Sequence, residues 1–284
     1  MSGPAELSIV TGVILDSGLK ATAVLGMAWG LSTLLRKRSA AARHAVWATG
    51  LACLPVLPLV AAQRGPSIAI DAPWVFGVWV AGALISLSPL LFGLLRLSWL
   101  QRGATRDAQG RLFTKKLSSP VTWGLFRPIV LLPESARSWA PELLDAAMAH
   151  EQAHIQRRDW AVHMMAWTVS ALFWFNPMVW LARHKLAQDA EHAADDAVLS
   201  QGVRATDYAS LLVSLASCKP PAVALGIGHS QVALRVLAVL EPRARSPRRW
   251  PVWVLALLLA ALALPALGAW PTWSAPADTL TCKV

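Results

Sequence analysis

Acidic residues, cysteines and tyrosine are scarce in this chain. Three cysteines, Cys53, Cys218 and Cys282, are scattered over 284 residues. An odd count without metal-ligand spacing excludes a disulfide framework and a thiolate zinc site. Sixteen Asp and Glu against 26 Lys and Arg leave a formal charge of +10. The basic residues form no single stripe and accompany no nucleic-acid-binding motif, so direct nucleic-acid binding is not expected. Residues 1–6 lack the positive flank of a secretory signal, and the first apolar segment is expected to be retained. No internal repeat or low-complexity tract occurs.

Apolar residues are abundant instead, at 55% of the chain, where a soluble domain would carry about 45–50%. Fifteen tryptophans against one tyrosine fit a chain in contact with a lipid bilayer, because indole favours the water–lipid interface. Four segments approach the roughly 20 apolar residues that a bilayer requires: 14–35, 45–62, 74–95 and 250–270. The second contains Pro55 and Pro58 and is expected to kink. Arg36, Lys37, Arg38 and Arg43 crowd the first loop, and residues 96–249 carry most of the remaining basic charge. The positive-inside rule then places both regions in the cytoplasm and both termini outside. The expected organisation is three transmembrane helices within 1–100, a cytoplasmic domain over 101–249, a fourth span at 250–270 and a short external tail at 271–284. Asp16 and Lys20 are expected to pair at the interface with Lys20 snorkelling outward. The alternative is a buried pair. The cluster Arg243, Arg245, Arg248 and Arg249 suits an anionic inner leaflet, since the fourth apolar run follows directly.

The chemistry concentrates at His150-Glu151-Gln152-Ala153-His154. Histidines at i and i+4 share one helix face and can reach one metal ion. The adjacent Glu151 can take a proton from the attacking water. A catalytic zinc site takes three protein ligands and keeps one position open. Glu191 is the favoured third ligand, ahead of His192 and His184. Asp195, one turn beyond it, can accept the spare N–H of a ligand histidine. His163 is read as a core or interfacial histidine rather than a ligand. Tyr208, the single tyrosine, can stabilise an oxyanion, but nothing local marks it for that role.

Glycines and prolines punctuate short strands over 111–114, 120–126 and 129–132. Pro141 suits the first turn of a helix that runs to about residue 159 and holds both histidines. The apolar stretch 160–182 is long enough to be a fifth span. A full crossing would separate His154 from Glu191 by about 30 Å, so the stretch must cross zero times or re-enter. Asn176-Pro177 marks a break between two helical pieces.

Residues 150–159 (HEQAHIQRRD), 172–180 (LFWFNPMVW) and 191–198 (EHAADDAV) together resemble the BlaR/MecR family of membrane zinc peptidases. Residues 38–47 (RSAAARHAVW) and 119–133 (SPVTWGLFRPIVLLP) are similar to that family's first cytoplasmic loop and strand region. The resemblance implies an α-helical protein of the bacterial inner membrane, with an α+β gluzincin-like zinc peptidase domain between transmembrane helices 3 and 4. It implies Zn2+ held by His150, His154 and Glu191, with Glu151 as general base and Asp195 as an outer partner. It also implies cleavage of a cytoplasmic transcriptional repressor, a small winged-helix protein, in response to an outside signal. A housekeeping protease and a non-cleaving transducer are the alternatives. Glu151 argues against the transducer, because a structural zinc needs no base.

Gluzincin-like enzymes hold a peptide as an added strand, and the edge expected here includes Thr122, Trp123 and Gly124, with Gly124 admitting a second backbone. Packing of Trp123 and Phe126 against the helix is the plainer reading of the same residues. The sequence departs from the family pattern at Ala194, where cysteine is common. It also shows no penicillin-binding domain after residue 270, so capture of a β-lactam is not expected.

Overall fold

The apolar runs fold into long helices. In the computed structural model, which describes residues 4–64, 72, 74–217 and 227–241, α1 spans Pro4–Leu34, α2 Ala40–Cys53, α3 Val56–Arg64 and α4 Trp74–Arg102. Among the described residues, three stretches are long and apolar enough to cross a membrane: Ile9–Leu34, Ala40–Gln63 and Trp74–Arg102. The first begins earlier than the sequence suggests. The second breaks between α2 and α3 around Pro55, as a proline without an N–H requires. The expected fourth span, the tail, Cys218, Cys282 and the Arg243–Arg249 cluster lie outside the described residues.

A four-stranded mixed sheet follows α4, in the order β1-β2-β4-β3. The strands are β1 (Thr105–Arg106), β2 (Leu112–Thr114), β3 (Val121–Trp123) and β4 (Ile129–Pro133). β2 and β4 are parallel, while β3 pairs antiparallel with β4 and forms one edge. Alternate side chains face opposite sides. Leu112 and Leu131 pack with Leu100 and Trp123, while Phe113 and Leu132 pack with Leu144 and Met148. β1 has only two residues, both exposed, so no period was available to announce it. Gly124 closes β3 at φ +110°, and a Cβ there would lie 2.8 Å from the Arg127 carbonyl oxygen. Its achirality therefore serves the turn of its own hairpin.

Helix α5 (Pro141–Arg157) carries both motif histidines, and α6 (Asp159–Leu172), α7 (Pro177–Leu199), α8 (Ala205–Ser217) and α9 (Ile227–Leu240) follow. α5 ends two residues short of 159 because Arg158 adopts a left-handed conformation, φ 57°, and turns the chain directly into α6. The stretch 160–182 is two helical pieces joined at Phe173–Asn176, the break expected before Pro177. Asn176 caps α7 by accepting from the Met178 amide at 3.0 Å and donates to the Gly18 carbonyl and to Thr22 Oγ1, both at 3.0 Å. Trp79 Nε1 of α4 donates to the Leu172 carbonyl at 2.9 Å, and Trp174 Nε1 donates back to the Trp79 carbonyl at 3.1 Å.

The tip of the α6–α7 hairpin is thus clasped well inside two candidate spans. Gly18 is about 14 Å along α1 from Ile9, and Gly82 about 12 Å along α4 from Trp74, at roughly 1.5 Å per residue. The hairpin enters between the apolar helices and returns.

The main core joins α1, α2, α6 and α7 through Ala21, Leu25, Trp47, Leu51, Val169, Ala182 and Leu186, all buried. Asp16 and Lys20 form their ion pair inside this bundle, 3% and 9% exposed. This corrects the expected interfacial pair: neighbouring helices cover both side chains, and Lys20 does not snorkel to water.

Gly82 is where α4 meets the hairpin. A Cβ there would sit 2.2 Å from the Trp174 ring. Gly82→Val should expel the indole and destabilise the chain by about 1–3 kcal/mol, the usual cost of overpacking. Gly77→Ala, where a Cβ meets nothing within 4 Å, should change little. Thermal unfolding in detergent measures both, and equal midpoints would show that Trp174 is not seated against Gly82.

Candidate metal centre

Helical spacing brings His150 and His154 to one face of α5. Their Nε2 atoms lie 3.2 Å apart. α7 packs across α5 and presents Glu191, whose carboxylate oxygens are 3.5 Å from His150 Nε2 and 3.7 Å from His154 Nε2. A tetrahedral zinc with ligands near 2.0–2.1 Å requires donor atoms about 3.3 Å apart; the two Nε2 atoms are close to that spacing, and each has a different oxygen of the Glu191 carboxylate nearby, Oε2 for His150 and Oε1 for His154. His150, His154 and Glu191 form the group able to hold a metal ion among the described residues. His192 and His184 are not in it.

The outer partners orient both rings. His154 Nδ1 donates to Asp159 Oδ2 at 2.8 Å. His150 Nδ1 is 3.3 Å from Asp195 Oδ1 and 3.1 Å from the Tyr208 hydroxyl oxygen. Protons held on Nδ1 leave both Nε2 lone pairs aimed at one point, together with the Glu191 carboxylate. That donor set fits a divalent cation with N and O ligands. The Tyr208 hydroxyl donates to Asp195 at 2.8 Å. Arg235 of α9 donates twice to Asp195, at 2.9 and 2.6 Å, and reaches Glu191 at 2.9 Å.

Charge is balanced within this cluster. Burial disfavours the ionised form of Asp195, but His150 and Arg235 outweigh it and bring its pKa down to about 2. Asp159 behaves alike: burial opposes its charge, yet the His154 hydrogen bond and Arg157 hold the carboxyl below the usual range. Burial likewise opposes a charged His150, and its hydrogen bonds to Asp195 and Glu191 overcome that and raise its pKa to about 9. The surroundings that keep a proton on His150 would favour a cation in its place.

Glu151 is buried beside the group, and its Oε2 accepts from Thr122 Oγ1 at 2.6 Å. A cavity of about 350 Å³ opens over these residues, with Thr122 and Val121 on one side, Trp160 and His163 on another, and Leu211, Leu212 and Arg235 beyond. Of the three strand residues considered for substrate contact, only Thr122 lines it. Trp123 packs with Leu100 of α4 and with Leu112 and Leu131 of the sheet, and Phe126 is 91% exposed.

Three participants escaped the sequence reading. Asp159 sits five residues past His154, off its helical face, and reaches it only because Arg158 turns the chain. Tyr208, named in the sequence only as a candidate oxyanion partner, donates to Asp195 and lines the cavity. Arg235 lies far downstream with no local signal. A further layer ties α2 to the site: Arg43 pairs with Asp189 at 2.8 Å, and His44 Nε2 lies 3.7 Å from Asp159 Oδ1. If the group holds a divalent cation, Asp159→Asn should weaken its binding by about 10–100-fold, the effect of losing a carboxylate that orients a coordinating histidine. Chelator competition reads this, and unchanged affinity would reduce Asp159 to a packing role.

The family model described as BlaR1 peptidase M56 matches residues 74–239, more than half of the chain. The regulatory protein BlaR1 of Bacillus licheniformis is 23% identical over 157 residues, covering 48% of this chain and 26% of that relative. The match thus spans about a quarter of the relative's length. The matched region begins at α4 and includes both motif histidines, Glu191, Asp195 and Arg235, and the chain belongs to the BlaR1 peptidase M56 family of metallopeptidases.

Proposed function

We propose that this chain is a zinc endopeptidase of the bacterial inner membrane, with a gluzincin-like domain between its third and fourth spans that faces the cytoplasm and cuts a protein there. A transcriptional repressor of the winged-helix type is the candidate substrate. The observation that carries this reading is the group His150, His154 and Glu191, whose ligand atoms lie within 4.8 Å of one another, with Glu151 beside them.

In this reading His150, His154 and Glu191 hold Zn2+. The bound ion would acidify the attacking water and polarise the scissile carbonyl. Glu151 receives the proton from that water and delivers it to the departing amine. Asp159 and Asp195 keep the two imidazoles in the required tautomer, and Arg235 anchors both Asp195 and Glu191. The free edge of β3 borders the cavity through Thr122. Its backbone can pair with an extended peptide whatever the side chains, which suits a protein substrate opened into a strand. The basic loop Arg36–Arg38 and the basic residues of 96–249 support a cytoplasmic domain. The hairpin arrangement of 160–182 supports it too, because His154 and Glu191 stay on one side.

Two measurements test the reading. Glu151→Gln should retain about one zinc per chain and lose cleavage of a fluorogenic peptide library. Glu191→Ala should lose zinc and cleavage together, and His192→Ala should lose neither. Zinc loss in the glutamine variant, or full activity, would reassign Glu151. Reporter fusions after Arg43 and near Gly202 should both read cytoplasmic, and a fusion near Gly65 external. An external reading near Gly202 would put the two halves of the site on opposite faces and sink the topology.

A further inference from the structure

We propose that Thr122 is the positioning residue of Glu151, so that the edge strand performs two tasks at once: its backbone seats the peptide, and its one inward hydroxyl aims the base. The inference rests on the peptidase reading above. Glutamate has three side-chain torsions, and a place on a helix next to His150 does not by itself fix the direction of its carboxylate. The Thr122 hydroxyl does so. Its Oγ1 donates to Glu151 Oε2 at 2.6 Å, the short range of a charge-assisted O–H···O⁻ bond. Oε2 is thereby engaged, and in the proposed reaction Oε1 would take the proton.

The strand that carries the hydroxyl is itself held from two sides. Thr122 is in register with Val130 of β4. Trp123, on the opposite face, is packed with Leu100, Leu112 and Leu131. The turn at Gly124, where a Cβ would lie 2.8 Å from the Arg127 carbonyl oxygen, fixes where the strand ends. Thr122 is therefore a rigid support for a base carried on a different element, with its side chain on the base and its backbone at the sheet edge. This separation makes a specific demand. Loss of the hydroxyl should reduce turnover and leave peptide affinity nearly intact.

The test uses the full chain in detergent, loaded with zinc, and a fluorogenic peptide that the wild type cleaves. Thr122→Val keeps the branched shape and the strand, and should lower kcat by about 10–100-fold, the scale of a misdirected catalytic group. KM should change by less than about twofold, zinc content should not change, and Thr122→Ser should restore most of kcat, because only the hydroxyl is required. An unchanged kcat would overturn the proposal. So would a rise in KM alone, which would place the side chain on the substrate, or a failure of serine to rescue.

A second readout needs no substrate. Thr122→Val should lower the unfolding midpoint by about 2 °C in the wild-type background and by much less in Glu151→Ala. Equal shifts in both backgrounds would show that the hydroxyl does not act through Glu151, and the proposal would fail. Clear coupling in a wild type that cleaves no peptide would overturn the peptidase reading, and with it any role in turnover, while the contact itself would stand.

Discussion

Three donor atoms must come within about 3.3 Å of one another if a metal is to bind, and the histidines and the glutamate that supply them sit on either side of an apolar stretch. Most of the fold follows from that requirement. α6 and α7 have to leave the histidine helix and come back to it. The hairpin achieves this by turning at Phe173–Asn176, where α1 and α4 supply carbonyls and a notch at Gly82. Asn176 satisfies the exposed α7 amide and two groups on α1 at once, so the turn leaves few polar groups unpaired among apolar helices. Glu191 is then carried on the same continuous helix as that cap.

The metal group has little bare charge around it. His150, His154, Asp159, Asp195, Glu191 and Arg235 interlock at or near hydrogen-bond distances. Each buried charge has a partner, which is what permits so many ionisable groups in a small volume. A second shell of pairs, Arg43 with Asp189 and Arg157 with Asp159, extends from the cluster to α2. The centre is therefore braced by helices that belong to the candidate spans as well as by its own domain.

The sheet contributes through one edge. Its inner strands are buried and hold the domain together, whereas β3 is exposed on one side and meets the cavity at Thr122. A single residue consequently faces both Glu151 and the free edge of the sheet. The apolar walls from α8 and the aromatic Trp160 complete a cleft whose polar groups are few and convergent.

Local spacing determined a good deal. The i and i+4 rule alone placed His150 with His154 and Glu191 with Asp195, because a helix period is a property of neighbouring residues. The apolar lengths gave three long helices, Pro55 gave the break between α2 and α3, and Asn176-Pro177 gave the hairpin turn. Glycine and proline punctuation gave β2, β3 and β4. The tertiary structure decided the rest. Asp159 became a histidine partner through a left-handed Arg158 that no propensity announces. Tyr208 and Arg235 joined Asp195 because separate helices fold over it. Asp16 and Lys20 are buried because α1 is enclosed, which a single helix cannot reveal. Thr122 met Glu151 because the outermost strand of a sheet lies against α5. Contacts between residues far apart in the chain depend on how whole elements pack, and that packing leaves no periodic trace in the residues themselves.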